Sequence, residues 1–342
     1  MGIVGLGQRV LVAAALKIAL ASGPAFALVP IKFSLDSRFD GTSAIFLVGI
    51  DRGYYKAEGI ALTIDSAADL TESIARVASG NYDMAFVDIN ALIRYRDQNP
   101  AVPVKAVYMV HSKPAYAVVG RKSREVNKPA DLAGKKIGAP AADVAVTHWR
   151  LFAQVNKINT AEIKIENVGL PVREPLLQSG QVDAVIGYSY VIVPNLKSMG
   201  VPANDIVLML MADHGLVLYG GAIVVNAKFA AEKPDAVRSF LQGFTRSLRE
   251  TLRAPGPAVE SVIKRNDALV RDVELERLRM VLRENIFVPD VRSFLNGAID
   301  PSRFEKAIDQ LAMTQEFKVK PKVADIFDAA FLPSAGNNRR TH

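Results

Sequence analysis

Three kinds of side chain in this sequence could hold a small molecule. Arg173 carries a planar guanidinium that can pair bidentately with a carboxylate or sulfonate, or pair with its neighbour Glu174 at the surface. Thr42, Ser43 and Thr71 stand where helices are expected to start. There, hydroxyls and backbone N–H groups could bind an anion, or the residues could simply cap the helix. Asp40 and Asp88 could instead grip an amine, or close turns. Tyr188 and Tyr190 bracket Ser189 at an expected strand end, where a ring could stack on a flat or apolar ligand or pack in the core. Arg38, Asp69, Asn90, Asp143 and Thr147 complete the set, on loops expected to follow strands. The charge of the ligand stays open on these residues alone.

Other chemistries find less support. The sequence has no cysteine, so a disulfide, a thiolate nucleophile and an iron–sulfur cluster are excluded. His111, His148, His214 and His342 follow no metal-ligand spacing, so no metal and no cofactor are expected. No G-x-S-x-G, H-E-x-x-H or phosphate-loop pattern occurs, which points away from an enzyme, although paired carboxylates in a cleft could still do acid–base work on a small heterocycle. The net charge of +7 comes without a dense basic helix or an aromatic RNA-binding pattern, so no nucleic-acid partner is expected.

The elements that would position these side chains are announced by a repeat. Ser79-Gly80-Asn81-Tyr82-Asp83-Met84 returns 100 residues later as Ser179-Gly180-Gln181-Val182-Asp183-Ala184. Each copy follows a helical run and precedes an apolar one, which reads as helix, glycine stop, tight turn with Asp closing it, then a buried parallel strand. Two copies in matching context predict two related α/β lobes. Strands are expected at Ile31–Leu35, Ala61–Ile64, after each repeat, and at Ala106–Val110, Tyr116–Gly120, Ile163–Val168, Ile206–Met211 and Ala222–Asn226. Thr71 is expected to cap the helix before the first repeat, and Val144–Val155 to form one helix. From Pro234 onward the periodicity is helical, with Pro255-Gly256-Pro257 separating two helices.

Half of the residues are hydrophobic and 23% charged, the balance of a soluble globular chain long enough for two cores. At the start, Arg9 precedes an apolar run over Val10–Ala21, interrupted by Lys17, and Ala25-Phe26-Ala27 supplies small residues for a signal peptidase. Export with cleavage after Ala27 is expected.

The order of motifs resembles the periplasmic substrate-binding proteins of ABC importers, in the branch that handles sulfonates, taurine, nitrate and pyrimidine precursors of thiamine. Gly53-Tyr54-Tyr55 with Glu58-Gly59-Ile60 carries the resemblance, with Gly80…Asp83, Asp131-Leu132…Gly134-Lys135-Lys136-Ile137-Gly138 and Gly180-Gln181-Val182-Asp183-Ala184. It implies a two-lobed periplasmic-binding-protein fold of type II, each lobe a mainly parallel sheet flanked by helices. Lobe I would take 28–115 plus 222–342, with the helical tail packed on it; lobe II would take 116–221; hinge crossings would lie near Ala115–Gly120 and Tyr219–Asn226. It further implies an exported monomer that closes its lobes on a small molecule and presents it to the membrane subunits of an importer. A ligand sensor would share the fold. A fungal thiamine-pyrimidine synthase resembles it too, but uses a cysteine-rich motif that this chain lacks. Ligands in open α/β sheets bind beyond the carboxyl ends of the strands. By that rule Arg38, Asp40, Thr42, Ser43, Asp69, Thr71, Asp88 and Asn90 would face the cleft from lobe I. Asp143, Thr147, Arg173, Tyr188 and Tyr190 would face it from lobe II.

Overall fold

The structure is a computed structural model that describes residues 27–141, 143–286 and 296–333. The expected export signal, apart from Ala27, lies outside them. Among the described residues, ten strands form two five-stranded sheets. The first has the order β2-β1-β3-β10-β4, where β1 is Val29–Leu35, β2 Ile60–Ser66, β3 Met84–Asp88, β4 Val104–Met109 and β10 Gly221–Asn226. The second has the order β7-β6-β8-β5-β9, where β5 is Tyr116–Arg121, β6 Lys136–Ala139, β7 Lys164–Asn167, β8 Ala184–Tyr188 and β9 Ile206–Leu210. In each sheet four strands run the same way, and one, β10 or β5, runs antiparallel to both its neighbours. The two-lobed, mainly parallel architecture is therefore present, and the two sheets share one strand order.

The Ser-Gly repeat fills equivalent corners of the two sheets. Gly80 and Gly180 adopt φ of 77° and 74°, the left-handed backbone in which a Cβ is strained. The repeated aspartate does more than close its own turn. Asp83 Oδ2 accepts from Lys32 N at 2.8 Å, and Asp183 Oδ2 accepts from Lys136 N at 2.9 Å. Each aspartate also donates its backbone N–H to the carbonyl of that same lysine. The repeat thus ties the strand it opens to the parallel strand beside it, β1 in the first sheet and β6 in the second, a contact far away in sequence.

Several local expectations change. Tyr116–Arg121 and Gly221–Asn226 are central strands; the crossings between lobes are the segments before them, 110–115 and 211–220. These crossings bond to each other: Gly220 N donates to His111 O at 3.0 Å, and His111 N to Gly221 O at 2.8 Å. Such close approach needs glycine, because a Cβ on Gly220 would lie 2.9 Å from the His111 Cβ and 3.0 Å from the Pro114 Cα. The expected Val144–Val155 helix is broken at His148 into Val144–Thr147 and Trp149–Val155. Pro255-Gly256-Pro257 opens a helix, Pro255–Ile263, as proline is suited to do at a first turn. The helix before the first repeat starts at Leu70, with Asp69 as its cap and Thr71 exposed inside its first turn.

The helical tail packs mainly on the first sheet. Phe240 and Phe244 of helix Pro234–Arg253 stack on Phe33 and Phe46, and Val259 and Leu278 join the same cluster. Two parts reach further. Met280, on helix Arg271–Val281, is buried in a cluster of second-lobe residues that includes Val119, Ile192 and Leu196. Arg303, on helix Pro301–Ala312, donates to the carbonyls of Ser112, Val217 and Leu218 in both crossings.

Candidate functional site

The loops after β1, β3 and β8 meet the two crossings at a cleft between the sheets. Its lining includes Asp36, Phe86, Asp88, His111, Ala115, Tyr188, Tyr190, Gly220 and Gly221. Two aspartates and no lysine or arginine stand among these residues. Asp36 follows β1 directly, and its carboxyl is pushed up to about 7 by burial, reinforced by Asp40 and, to a smaller degree, by Asp88. Asp88 caps helix Ile89–Gln98, accepting from Asn90 N at 2.9 Å and Ala91 N at 3.1 Å. Its other oxygen accepts from the Tyr116 hydroxyl. Burial raises the Asp88 carboxyl as well, against the opposing pull of these donors. Asn90 is buried, and its Nδ2 donates to Tyr219 O at 2.7 Å and to the Tyr116 oxygen at 3.0 Å.

The opposite wall is aromatic. Tyr188 and Tyr190 stack at 5.4 Å with rings 9° apart. Tyr116 continues the column, 6.0 Å from Tyr188, and its other face stacks on His148 at 4.5 Å. Burial pushes all three tyrosine hydroxyls well above their ordinary range, so they stay protonated. The same cause pushes His111 and His148 down to about 3, so both imidazoles are neutral. Among the described residues, the buried His148 Nε2 has no hydrogen-bond partner. A column of flat rings opposite carboxylates suits a flat ligand that offers N–H donors or positive charge at its edge.

Two of the three expected anion sites, at Arg173 and at Thr42–Ser43, are filled by the protein itself. Arg173 is 2% exposed, not a surface residue; Nη1 pairs with Asp143 Oδ2 at 2.9 Å and Nη2 with Glu174 Oε1 at 2.7 Å. It also donates to Ile186 O, and Gly187 makes room for it, since a Cβ there would lie 2.2 Å from Nη1. One cation between two carboxylates leaves no charge for an anionic ligand. At the turn Gly41–Ser43, Asp40 Oδ1 accepts from Thr42 N at 2.8 Å and from Thr42 Oγ1 at 2.6 Å. Gly41 N donates to Glu274 Oε2 at 2.6 Å, and Ser43 Oγ accepts from Asp40 N. The N–H groups that would cradle an anion are thus already bound to carboxylates.

The remaining expected residues scatter. Asp143 caps Val144–Thr147 besides pairing with Arg173. Thr147 is exposed and accepts from Arg94 across the rim at 2.9 Å. Arg38 is exposed on the loop after β1, and Asp69 and Thr71 lie exposed at the start of helix Leu70–Ala78. The structure brings together Asp88, Tyr188 and Tyr190 from the expected set, and adds Asp36, Phe86, His111 and Tyr116. Asp36 could have been found, because it follows the first strand as Asp88 follows the third. Tyr116 could not, because it starts a strand and reaches Tyr188 and Asp88 behind the lining only through the antiparallel pairing of β5 with β8. Among the described residues, no three His, Asp or Glu side chains gather as a metal site.

Residues 41–258 match the family described as NMT1/THI5 like. The chain belongs to this family. It is 24% identical over 264 residues to the formylaminopyrimidine-binding protein of Halalkalibacterium halodurans, covering 75% of this chain and 78% of that one. Over 248 residues it is 25% identical to the riboflavin-binding protein RibY of Chloroflexus aurantiacus, covering 71% and 68%. Among solved structures, the periplasmic aliphatic sulphonate binding protein SsuA from Escherichia coli superposes with a TM-score of 0.67 at 12% identity, covering 86% of this chain and 91% of that one. This family member has the type II periplasmic-binding-protein fold.

Proposed function

We propose that this protein is the solute-binding component of an ABC importer and that its ligand is a flat nitrogen heterocycle of the aminopyrimidine kind. The observation that carries the ligand class is the pairing of a tyrosine column with Asp36 and Asp88 in a cleft whose lining, among the described residues, holds no lysine or arginine. Stacking on Tyr188 or Tyr190 would hold the ring, and the aspartates would accept from its exocyclic amine or ring N–H. A sulfonate or nitrate finds the buried cations already matched, Arg173 by two carboxylates and Arg277 by Glu274 at 3.0 Å and Asp40 at 3.9 Å, while Arg38 lies exposed and outside the lining. The relatives whose names specify a formylaminopyrimidine and a flavin agree with a flat heterocycle.

The mechanism is capture without chemistry. Ligand enters between the lobes, and closure about the crossings 110–115 and 211–220 buries it; ligand favours the closed form only through contacts made better there. We read lobe I as 28–115 plus 222–342 and lobe II as 116–221. We read the protein as exported after cleavage following Ala27, and as a monomer that docks on importer membrane subunits. Calorimetric titration of residues 28–342 with 4-amino-5-hydroxymethyl-2-methylpyrimidine, an alkanesulfonate and nitrate tests the ligand class. Binding of the pyrimidine alone, recovered unchanged, is expected. Binding of the sulfonate or nitrate alone would overturn the reading, and conversion of the pyrimidine would make the protein an enzyme.

A further inference from the structure

The geometry points to Arg277 and Met280 as a clasp that sets ligand affinity from behind the binding surface, by holding the two lobes together. This goes beyond the ligand class and needs only that the lobes move. Helix Arg271–Val281 belongs to the tail, and its Leu275, Leu278 and Val281 pack in the first-lobe core. Arg277 is anchored on that side by Glu274, at 3.0 and 3.4 Å, and by Asp40 at 3.9 Å. Its two terminal nitrogens cross to the other lobe. Nη1 donates to Tyr190 O at 2.8 Å and Nη2 to Asn195 Oδ1 at 3.2 Å, both on helix Ser189–Ser198. One turn on, Met280 is 2% exposed among second-lobe side chains.

Each part of this contact bears on the cleft. Tyr190, whose carbonyl Arg277 holds, carries the end ring of the aromatic column. Asp40 and Gly41, held by Arg277 and Glu274, sit on the loop that carries Asp36. Gly41 permits the approach, because a Cβ there would lie 2.1 Å from Glu274 O. Opening the cleft on this side must break two hydrogen bonds from a buried guanidinium and draw Met280 out of an apolar cluster. An exposed pair nearby, Lys197 with Glu276 at 2.6 Å, contributes little by comparison. Arg277 is therefore a positioning residue: it touches the ring column through its backbone and acts by making closure favourable.

Arg277→Ala would strand Glu274 without its cation and put the fold at risk, so the test removes the Asn195 acceptor and the Met280 side chain instead. The chain has no cysteine, so Lys122→Cys and Lys228→Cys place one spin label on each lobe cleanly. Pulsed electron spin distances are then compared for the ligand-free protein with and without Asn195→Ala plus Met280→Ala. The pair should raise the open-to-closed ratio about tenfold or more, from one hydrogen bond and one buried side chain, while Lys197→Ala leaves it within about twofold. An unchanged distance distribution with a lower melting temperature would make the contact static packing and overturn the proposal. So would a parent protein already wholly open without ligand. Neither result depends on which heterocycle binds, so the ligand class stands or falls separately.

Discussion

Asp88 and Tyr188 occupy the same place in two lobes. Each ends the strand that follows the Ser-Gly repeat, each precedes a helix, and the two are 100 residues apart. Asn90 and Tyr190 match in the same way. In lobe I the position holds a carboxylate that caps the following helix through two backbone N–H groups; in lobe II it holds a ring, and that helix has no side-chain cap. The scaffold positions are alike, down to Asp83 and Asp183 bonding the parallel strand beside the one each opens. The cleft positions differ, and facing one another they form an acidic wall and an aromatic one. A repeated architecture therefore fixes where a ligand sits, while unlike residues in like positions decide what it can be.

The comparison can be broken most severely at Arg173. If it belongs to the scaffold, Arg173→Ala leaves Asp143 and Glu174 buried without a cation and costs about 3–5 kcal/mol of stability in urea unfolding. A fully stable variant that loses only ligand affinity would return Arg173 to the binding wall. Next comes the aromatic half. Tyr188→Ala should weaken an aminopyrimidine by about 1–3 kcal/mol, as removal of a base-stacking ring does, read by calorimetry with the fold intact. Unchanged affinity would leave the tyrosine column as packing.

The equivalence of the scaffolds is sharpened by a matched pair. Asp83→Ala and Asp183→Ala should each destabilise by about 1–2 kcal/mol, since each removes a carboxylate bonded to a backbone N–H. A large effect in one lobe and none in the other would deny the corner its common role.

The smallest effect is one of pH on the acidic half. The Asp36 carboxyl keeps its proton up to about 7 in the fold but gives it up near about 3.9 in an unfolded chain. The folded state then binds more protons between those values, so this group's contribution to stability falls as pH rises through that window and is flat above it. A positively charged ligand should bind severalfold tighter at pH 8 than at pH 6, as Asp36 becomes a carboxylate. Titrations at the two pH values check this, and Asp36→Asn should flatten both dependences.

The scaffold is legible in short-range signals. Gly80 and Gly180 mark turns because a left-handed backbone excludes most side chains, and the apolar runs after them suit buried strands. Two copies imply two lobes, and the strand-end rule then reaches Asp88, Tyr188 and Tyr190. These inferences rest on local backbone chemistry and periodicity, which neighbouring residues carry. Only the tertiary structure decided which charges are free. Arg173 read as an anion clamp, yet Asp143 arrives from 30 residues away, and with Glu174 it leaves the guanidinium no surplus charge. The turn at Thr42 read as an anion cradle, yet Glu274 reaches it from the tail, more than 200 residues on. An ionic group's availability depends on every charge within a few ångströms, and the fold alone sets those distances.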